Sequence, residues 1–402
     1  MPTSTGSARL TPELRASIFH FSALTTNGVA SAYFSVWMGG HGITPAEIGI
    51  VNAVPVCALL LINMFVGRLA DRASDWKQMI ILLVFAAAAF SFGLFFVSTF
   101  AAVLIIWTLF SVPTGSMGPV LDAATLRMTE RNGTSFGNIR GWGTLGAMVA
   151  TAVMGLIAAV FGAASFVPTL VAFATARALL SLQLPRFRAP ERAATLARTA
   201  NQASRLKEVL KPWFVLPLVA FALVQATHFI LLAFVALIWK QQGVPDAVLG
   251  LLIATSQAAE AVIMFVWRRV GARISARTMI LAACVATVLR WSIVAMAPPV
   301  WVLFLTQLLH AVTFAIGYLG TVHFIANWTG EEIAAEAQGF SFVLQQATAV
   351  VTLVVFGWLV GNFGTGSFLV LAGMGLVGAL CVVISLRLKP PRETALTAVS
   401  AS

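Results

Sequence analysis

Charged residues are scarce in this sequence. Of its 402 residues only 10% are Asp, Glu, Lys or Arg, whereas 59% are hydrophobic, and the mean hydropathy is +0.92. Soluble domains contain roughly a quarter charged residues, which they need to cover a surface that faces water. A single soluble core also stops growing near about 250–300 residues. The composition therefore excludes one large water-soluble domain and indicates a chain that faces lipid over much of its surface.

Cysteine is also rare, and several catalytic signatures are missing. Cys57, Cys284 and Cys381 each lie within an apolar run and do not have the spacing of zinc ligands. An odd number in such positions argues against a disulfide framework. The strings typical of P-loop ATPases and H-E-x-x-H metalloproteases do not occur. We therefore expect no enzyme, no metal, no cofactor and no ATP-driven pump within this chain.

Long apolar runs are what the sequence has instead. A membrane-spanning helix needs about 20 mostly apolar residues. Twelve such runs lie near residues 14–39, 46–67, 78–98, 101–128, 138–161, 165–184, 213–240, 246–267, 278–297, 300–327, 334–361 and 366–387. A membrane β-barrel would show short alternating segments, which this chain lacks. The polar N-terminus, Met1 to Glu13, has no pattern of a removable signal peptide. The sequence predicts an all-α integral membrane protein of twelve transmembrane helices.

Basic residues are divided unevenly between the connections. The segments after predicted helices two, four, six and eight, and the C-terminal tail, carry Lys and Arg, whereas the opposite connections carry only Lys240. The positive-inside rule then predicts a multi-pass protein of the cytoplasmic (inner) membrane with both termini in the cytoplasm. This asymmetry accounts for the net charge of +11. The expected partners are therefore the lipid bilayer, a small solute and protons, with no nucleic acid, and we expect a monomer.

The one long connection, 185–211, divides the chain into equal halves. Helix two opens with Gly42-Ile-Thr-Pro-Ala-Glu-Ile-Gly49, and helix eight opens with Gly243-Val-Pro-Asp-Ala-Val-Leu-Gly250. Gly42 and Gly243 are 201 residues apart, and so are Gly49 and Gly250. Parallel repeats of six helices are one known plan of secondary transporters. We predict two six-helix pseudo-symmetric bundles, residues 1–184 and 212–402, joined by a cytoplasmic linker at 185–211.

A short motif after helix two connects this plan to a family. Gly67-Arg-Leu-Ala-Asp71-Arg72 resembles the G-x-L-A-D-R motif of the major facilitator superfamily, although Ser74 and Asp75 depart from the second half of that motif. The resemblance implies the major facilitator fold. It also implies that Gly67, Asp71 and Arg72 form a latch for the outward-facing state, in which Asp71 meets a helix N-terminus and basic partners.

A narrower resemblance covers nearly the whole chain. The residues that carry it are Tyr33-Phe-Ser-Val-Trp37, the Gly42–Gly49 string, Arg140-Gly-Trp-Gly143, His228, Glu260, Arg290-Trp291 and His310. Together they resemble the phenylpropionate permease branch, which is related to the lactose permease and to nucleoside:proton symporters. The resemblance implies proton-coupled uptake of a small organic solute, such as an aromatic carboxylate, by alternating access. A proton-driven exporter of drugs or metabolites, or a sugar or nucleoside symporter, is the alternative.

Ionisable residues inside the predicted helices are functional candidates, because each costs about 2.5–3.5 kcal/mol to insert into lipid. Glu260 lies about halfway along helix eight, with no Lys or Arg close before Arg268. A lone carboxyl group in apolar surroundings binds a proton readily, so Glu260 is our candidate carrier of the coupling proton. The alternative is a structural pair with Arg290 in helix nine, and both interpretations can hold.

Arg290 itself has two interpretations. It lies roughly 10 Å inside the outer end of helix nine, at 1.5 Å per residue. Its guanidinium could reach the membrane surface, with Trp291 marking the interface. Otherwise Arg290 is a fixed cation that binds a carboxylate of the protein or of the solute. A second arginine, Arg177, lies near the inner end of helix six. We expect its side chain to reach the membrane surface at that end.

Two histidines complete the second half. His310 in helix ten and His228 in helix seven lie near mid-membrane, where each is either a packing residue or a titratable site residue. Glu260, Arg290 and His310 resemble the proton-coupling set of the lactose permease. The carboxylate expected one turn beyond the histidine is replaced by Thr313 and Phe314. We therefore assign proton coupling to Glu260 and His310, and solute contact to His228 and Arg290.

The first half contributes fewer candidates. Asp122 and Arg140 resemble by their spacing the acid–arginine pair that holds sugar in the lactose permease, and they form either a structural pair or a substrate clamp. Asn27 and Gln225 lie near the midplane in matching positions of the two halves. Uncharged polar groups there hydrogen-bond a solute or hold helices together. All four are predicted substrate-binding residues.

Overall fold

A computed structural model describes residues 10–187, 210–270, 274–329 and 331–389. Most of the predicted linker, from residue 188 to 209, lies outside these ranges. The α-helices are α1 (Pro12–Ala23), α2 (Thr25–Gly40), α3 (Pro45–Arg72), α4 (Trp76–Ser91), α5 (Phe100–Asn132), α6 (Phe136–Phe161), α7 (Phe166–Ser181), α8 (Pro212–Ile230), α9 (Ala236–Gln241), α10 (Asp246–Val270), α11 (Ala276–Ala295), α12 (Val300–Leu308), α13 (Gly317–Trp328), α14 (Glu331–Phe363) and α15 (Phe368–Leu388).

Three spans are built from more than one helix. Only Leu24 separates α1 from α2, the π turn Leu231–Val235 joins α8 to α9, and the π turn Ala311–Ile316 joins α12 to α13. With these joined, the described residues form twelve helical spans. Ten stretches are long and apolar enough to cross a membrane, and one of them, Glu336–Leu388, contains both α14 and α15. The predicted all-α membrane fold is confirmed. The apolar runs in the sequence did not reveal the breaks within these three spans.

The spans define two faces. We call the face where α1 begins and α15 ends the terminal face, and the opposite face the distal face. On the distal face Gly42 and Gly243 have positive φ angles, +74° and +83°, which favour glycine. These two turns lead into α3 and α10, so the sequence repeat corresponds to a structural one. Lys240, the exception in the charge pattern, pairs with Asp246 beside the second turn.

The second glycine of each repeat lies where the two halves touch. Helix α3 packs against α14, and α6 packs against α10. A Cβ atom at Gly49 would collide with the Leu353 carbonyl oxygen, and one at Gly250 would lie 2.7 Å from the Thr151 carbonyl oxygen. On the facing helix α14, a Cβ atom at Gly357 would lie 2.5 Å from the Pro45 carbonyl oxygen. Such contacts with backbone leave no room for a side chain. The two backbone crossings hold the halves together near the distal face.

The terminal face contains a matching pair of helix caps. Lys77 Nζ donates to the carbonyl oxygens of Leu182 (2.9 Å) and Leu184 (2.6 Å), just after α7. Arg277 Nη1 donates to those of Ser385 (3.1 Å) and Lys389 (2.7 Å), at the end of α15. A cation at a helix C-terminus interacts favourably with the helix dipole and satisfies free carbonyls. Lys77 and Arg277 are 200 residues apart, so the two caps occupy equivalent positions in the two halves of the sequence.

Replacing Arg277 with Gln is expected to lower the free energy of unfolding by about 1.5–3 kcal/mol, the range for hydrogen bonds to a charged group. The Arg277 side chain is buried, and it is the donor to the last turn of α15. The measurement is a thermal melt of the detergent-solubilised protein. Arg387→Gln is the control, because Arg387 is an exposed arginine on the same helix end. Equal melting temperatures for both variants would contradict the prediction.

One string in the connection between α5 and α6 matches a hydrolase pattern. Gly133-Thr-Ser135-Phe-Gly137 fits G-x-S-x-G, the nucleophile elbow, which requires a strand before the serine and a helix after it. Here Gly133 ends α5 with φ +67°, and Ser135 precedes α6. The string is a helix-to-helix turn and not a nucleophile elbow.

Candidate functional site

A chain of polar side-chain contacts runs through the second half. His310 Nε2 lies 3.4 Å from Glu260 Oε2, and Arg290 Nη1 lies 3.3 Å from His310 Nδ1. A guanidinium can only donate, so Nδ1 is the acceptor and Nε2 carries the ring proton that faces Glu260. His310 therefore stands between the carboxylate and the guanidinium. Among the described residues Glu260 and Arg290 do not form a direct ion pair.

Arg290 is enclosed by protein. Its side chain has no exposed surface, and Nη2 donates to Gln307 Oε1 at 2.9 Å. Trp291 beside it is also buried, with the guanidinium 5.1 Å from its ring centre. The alternative in which Arg290 reaches the membrane surface beside an interfacial tryptophan is therefore wrong. Arg290 is a fixed cation whose guanidinium contacts His310 and Gln307 of the protein.

His228 extends the chain toward α8. Its Nδ1 donates to the Val224 carbonyl oxygen at 3.0 Å, and its Nε2 lies 3.0 Å from the Thr313 hydroxyl. The rings of His228 and His310 meet edge to face, with centres 4.8 Å apart. Each histidine shortly precedes one of the two π turns. Single π turns inside helices are frequent at functional sites. The predicted grouping of these histidines with Glu260 and Arg290 agrees with this geometry.

Asp122 and Arg140 form an ion pair in the first half. Arg140 Nε lies 3.2 Å from Asp122 Oδ1, and the two side chains are 37% and 42% exposed. The pair joins α5 to α6, as the structural interpretation expects. It also leaves Arg140 accessible, as the substrate-clamp interpretation requires.

A cavity of about 250 Å³ lies mainly in the first half. Its polar lining includes Asn27, Asn52 and Thr114. Its aromatic lining consists of Phe34, Trp107, Phe110 and Phe229. The rings of Phe34 and Trp107 stack with their centres 3.7 Å apart. This combination of an aromatic wall and a few polar groups is typical of small-molecule sites.

The two amides that the sequence paired have different surroundings. Asn27 lines the cavity. Gln225 does not line it, and its Oε1 atom is buried without a hydrogen-bond partner among the described residues. Gln257 and Gln346 share that property. Asn27 is therefore placed where it could contact a solute in the cavity, whereas Gln225 lies outside that cavity.

Arg177 is the residue that sequence reasoning misjudged. It does not reach the membrane surface, because its side chain is completely buried. Nη1 donates to Thr26 Oγ1 (2.9 Å) and to the Ala23 carbonyl oxygen (3.3 Å), and Nη2 donates to Thr114 Oγ1 (3.2 Å). No signal in α7 itself predicted this, because the partners are neutral oxygens on other helices.

The predicted latch lies at the terminal end of α3. A Cβ atom at Gly67 would have no neighbour within 4 Å, and Arg72 is exposed. The side chain of Asp71 lies outside the described residues. Asp75, which departs from the family motif, accepts from the backbone N–H groups of Lys77 (2.8 Å) and Phe187 (3.1 Å). The latch role of Gly67, Asp71 and Arg72 stays a prediction.

Proteins of similar sequence are transporters. The chain is 26% identical over 364 residues to the “Probable 3-phenylpropionic acid transporter” of Escherichia coli (strain K12), covering 89% of this chain and 93% of that protein. It is 23% identical over 371 residues to a maltose permease of Geobacillus stearothermophilus, covering 91% and 93%.

Solved structures agree in fold. The nucleoside transporter NupG superimposes with a TM-score of 0.76 at 18% identity, covering 94% of this chain and 100% of that one. A D-xylose-proton symporter superimposes with a TM-score of 0.70 at 13% identity, covering 92% and 96%. Residues 14–349 match the MFS_1 like family. The chain therefore belongs to the MFS_1 like family, and it is a multi-pass membrane permease of the major facilitator superfamily and not an enzyme.

Proposed function

We propose that this permease couples the uptake of a small organic anion, such as an aromatic carboxylate, to an inward flow of protons. The observation that carries the proposal is the contact of Glu260 with His310 Nε2, while Arg290 occupies the other ring nitrogen. Because Nδ1 faces a guanidinium, an incoming proton is better accepted by Glu260 than by the imidazole. Glu260 is also partly accessible, at 21% side-chain exposure.

Protonation of Glu260 would change the chain of contacts. A neutral carboxyl group no longer attracts the His310 N–H as strongly, because charge-assisted hydrogen bonds are the stronger kind. The Glu260–His310 contact links α10 to the residue just before the π turn Ala311–Ile316. Loosening this contact would therefore weaken the attachment of α10 to that span.

The halves approach each other differently at the two faces. The halves meet at the distal glycine crossings. At the terminal ends of the same two helices, a Cβ atom at Gly67 of α3 or at Gly339 of α14 would have no neighbour within 4 Å among the described residues, apart from the backbone of its own helix. With both termini in the cytoplasm, as the basic connections predict, this state is open to the cytoplasm. Asp122 and Arg140 would then be reached from inside the cell.

The character of the cavity supports an aromatic carboxylate as solute. Stacked aromatic rings suit an aromatic ring. Arg140, which is accessible in the same half but does not line the cavity, suits an anion. The relative from Escherichia coli has a name that points to 3-phenylpropionic acid. A sugar or a nucleoside is the second candidate for the solute, because a maltose permease and a nucleoside transporter are among the similar proteins.

The test begins with purified wild-type protein and a thermal-shift screen of aromatic acids, sugars and nucleosides, since a bound ligand stabilises the folded protein by mass action. Aromatic acids are expected to raise the melting temperature most. In proteoliposomes with an alkaline interior, the same acid should accumulate, and a protonophore should abolish the accumulation. Accumulation that persists with the protonophore would contradict proton coupling, and stabilisation by nucleosides alone would contradict the solute class.

A further inference from the structure

The buried Arg177 has no counter-ion. Among the described residues no carboxylate lies within 4.0 Å of its guanidinium, although its side chain has no exposed surface. Its Nε atom is also without a hydrogen-bond partner. A buried charge normally pairs with an opposite charge, because desolvation without pairing is expensive. Arg177 therefore places an uncompensated positive charge inside the first half.

Arg177 is separated from the cavity by two hydroxyl groups. It donates to the Oγ1 atoms of Thr26 and Thr114, and both threonines line the cavity. A hydroxyl that accepts from a cation keeps its own hydrogen for donation. Within the part of the chain that the structure describes, neither hydroxyl has an acceptor. By contrast, Thr25 donates to the Ser22 carbonyl oxygen of α1, and Thr108 donates to the Leu104 carbonyl oxygen of its own helix. Thr26 and Thr114 are thus polarised donors with unused hydrogens.

The helix break in the first span lies at the same place. The backbone at Leu24 leaves the helical conformation (φ −102°, ψ 2°), and the Ala23 carbonyl oxygen accepts from Arg177 instead. Helix α2 therefore begins inside the protein, next to Thr26 and the cavity. Discontinuous helices near the midplane are where transporters build sites for anionic groups, because helix N-termini attract negative charge. The two threonine hydroxyls and this helix start converge on one side of the cavity.

We propose that the cavity holds the carboxylate of the solute at the hydroxyls of Thr26 and Thr114, with Arg177 behind them as the buried counter-charge. The ring of the solute then lies against Phe34 and Trp107. This subsite lies in the first half and is separate from the Glu260 chain. Arg177 acts through the threonines and is a positioning residue. The proposal rests on the proposed function for its solute class, but not on proton coupling.

The test measures binding to the purified full-length protein. The probes are 3-phenylpropionate and 3-phenylpropan-1-ol, which has the same ring but no charge. Thr114→Val removes the donor and keeps the shape, so acid affinity should fall about tenfold while alcohol affinity falls less, because a hydrogen bond to a charged group is worth more than one to a neutral hydroxyl. Thr114→Ser should restore acid affinity. Thr108→Val, on the same helix α5, is the matched control, because the Thr108 hydroxyl is already bonded to Leu104.

Arg177→Lys and Arg177→Gln complete the series. Lys should keep a preference for the acid and Gln should lose it; if the Gln variant does not fold, the Thr114 series decides. Equal losses of acid and alcohol affinity in Thr114→Val would overturn the subsite, as would wild-type protein that does not bind the acid. A proton-uptake assay in proteoliposomes separates the two proposals. Acid binding without proton movement contradicts the proposed coupling alone, whereas proton-coupled transport of neutral solutes contradicts the subsite and the proposed solute class but not the coupling.

Discussion

Glu260→Gln is expected to abolish accumulation of the solute driven by a pH gradient, while exchange of solute across the membrane continues. Glutamine keeps the size of the side chain and its contact with His310, but it does not carry a proton at physiological pH. In wild-type proteoliposomes one proton per monovalent anion moves no net charge. A gradient of one pH unit can then concentrate the anion about tenfold, since 1.4 kcal/mol corresponds to a factor of ten. The variant should reach a ratio of about one.

The comparison requires two assays on the same vesicles. Net uptake is measured after imposing the pH gradient, and exchange is measured with labelled solute at equal concentrations and equal pH on both sides. Glu130→Gln is the control, because it neutralises an exposed carboxylate at the terminal end of α5. It should accumulate solute like the wild type. If Glu260→Gln still concentrates the solute, the proton is carried by another group; if exchange is also lost, Glu260 has a structural role in the transport cycle.

Gly357→Leu is expected to reduce transport roughly ten- to hundredfold, because over-packing costs about 1–3 kcal/mol and every 1.4 kcal/mol is a factor of ten. A Cβ atom at Gly357 would lie 2.5 Å from the Pro45 carbonyl oxygen, and backbone cannot move aside like a flexible side chain. The substitution therefore disfavours the state in which the distal face is closed. Transport requires that state once in every cycle.

Gly361→Leu is the matched control for this prediction. It makes the same change one helical turn further along α14, where a Cβ atom would have no neighbour within 4 Å. Both variants should be purified as folded protein before the exchange rates are compared. Equal rates for Gly357→Leu and the wild type would show that the close crossing is not needed for transport. Equal loss in both variants would point to a general effect of leucine in α14.

Much of the architecture follows from the sequence, because lipid imposes few choices. Apolar runs of sufficient length must be helices, so the all-α membrane fold could be predicted from hydropathy. The 201-residue spacing of Gly49 and Gly250 also predicted an internal repeat of the two halves. The structure then showed why glycine is needed: each lies at a backbone crossing. Hydropathy could not reveal the break at Leu24 or the two π turns, because their residues are as apolar as their neighbours.

The site shows the same division. The sequence by itself identified Glu260, Arg290, His310 and His228, because ionisable residues are conspicuous in apolar helices. Only the tertiary structure decided that His310 separates Glu260 from Arg290, since this depends on which faces of α10 and α11 meet the π turn. Arg177 is the sharpest case. Its place near a helix end suggested contact with water, and its burial depends on neutral oxygens of α1, α2 and α5 that no local pattern assigns to it.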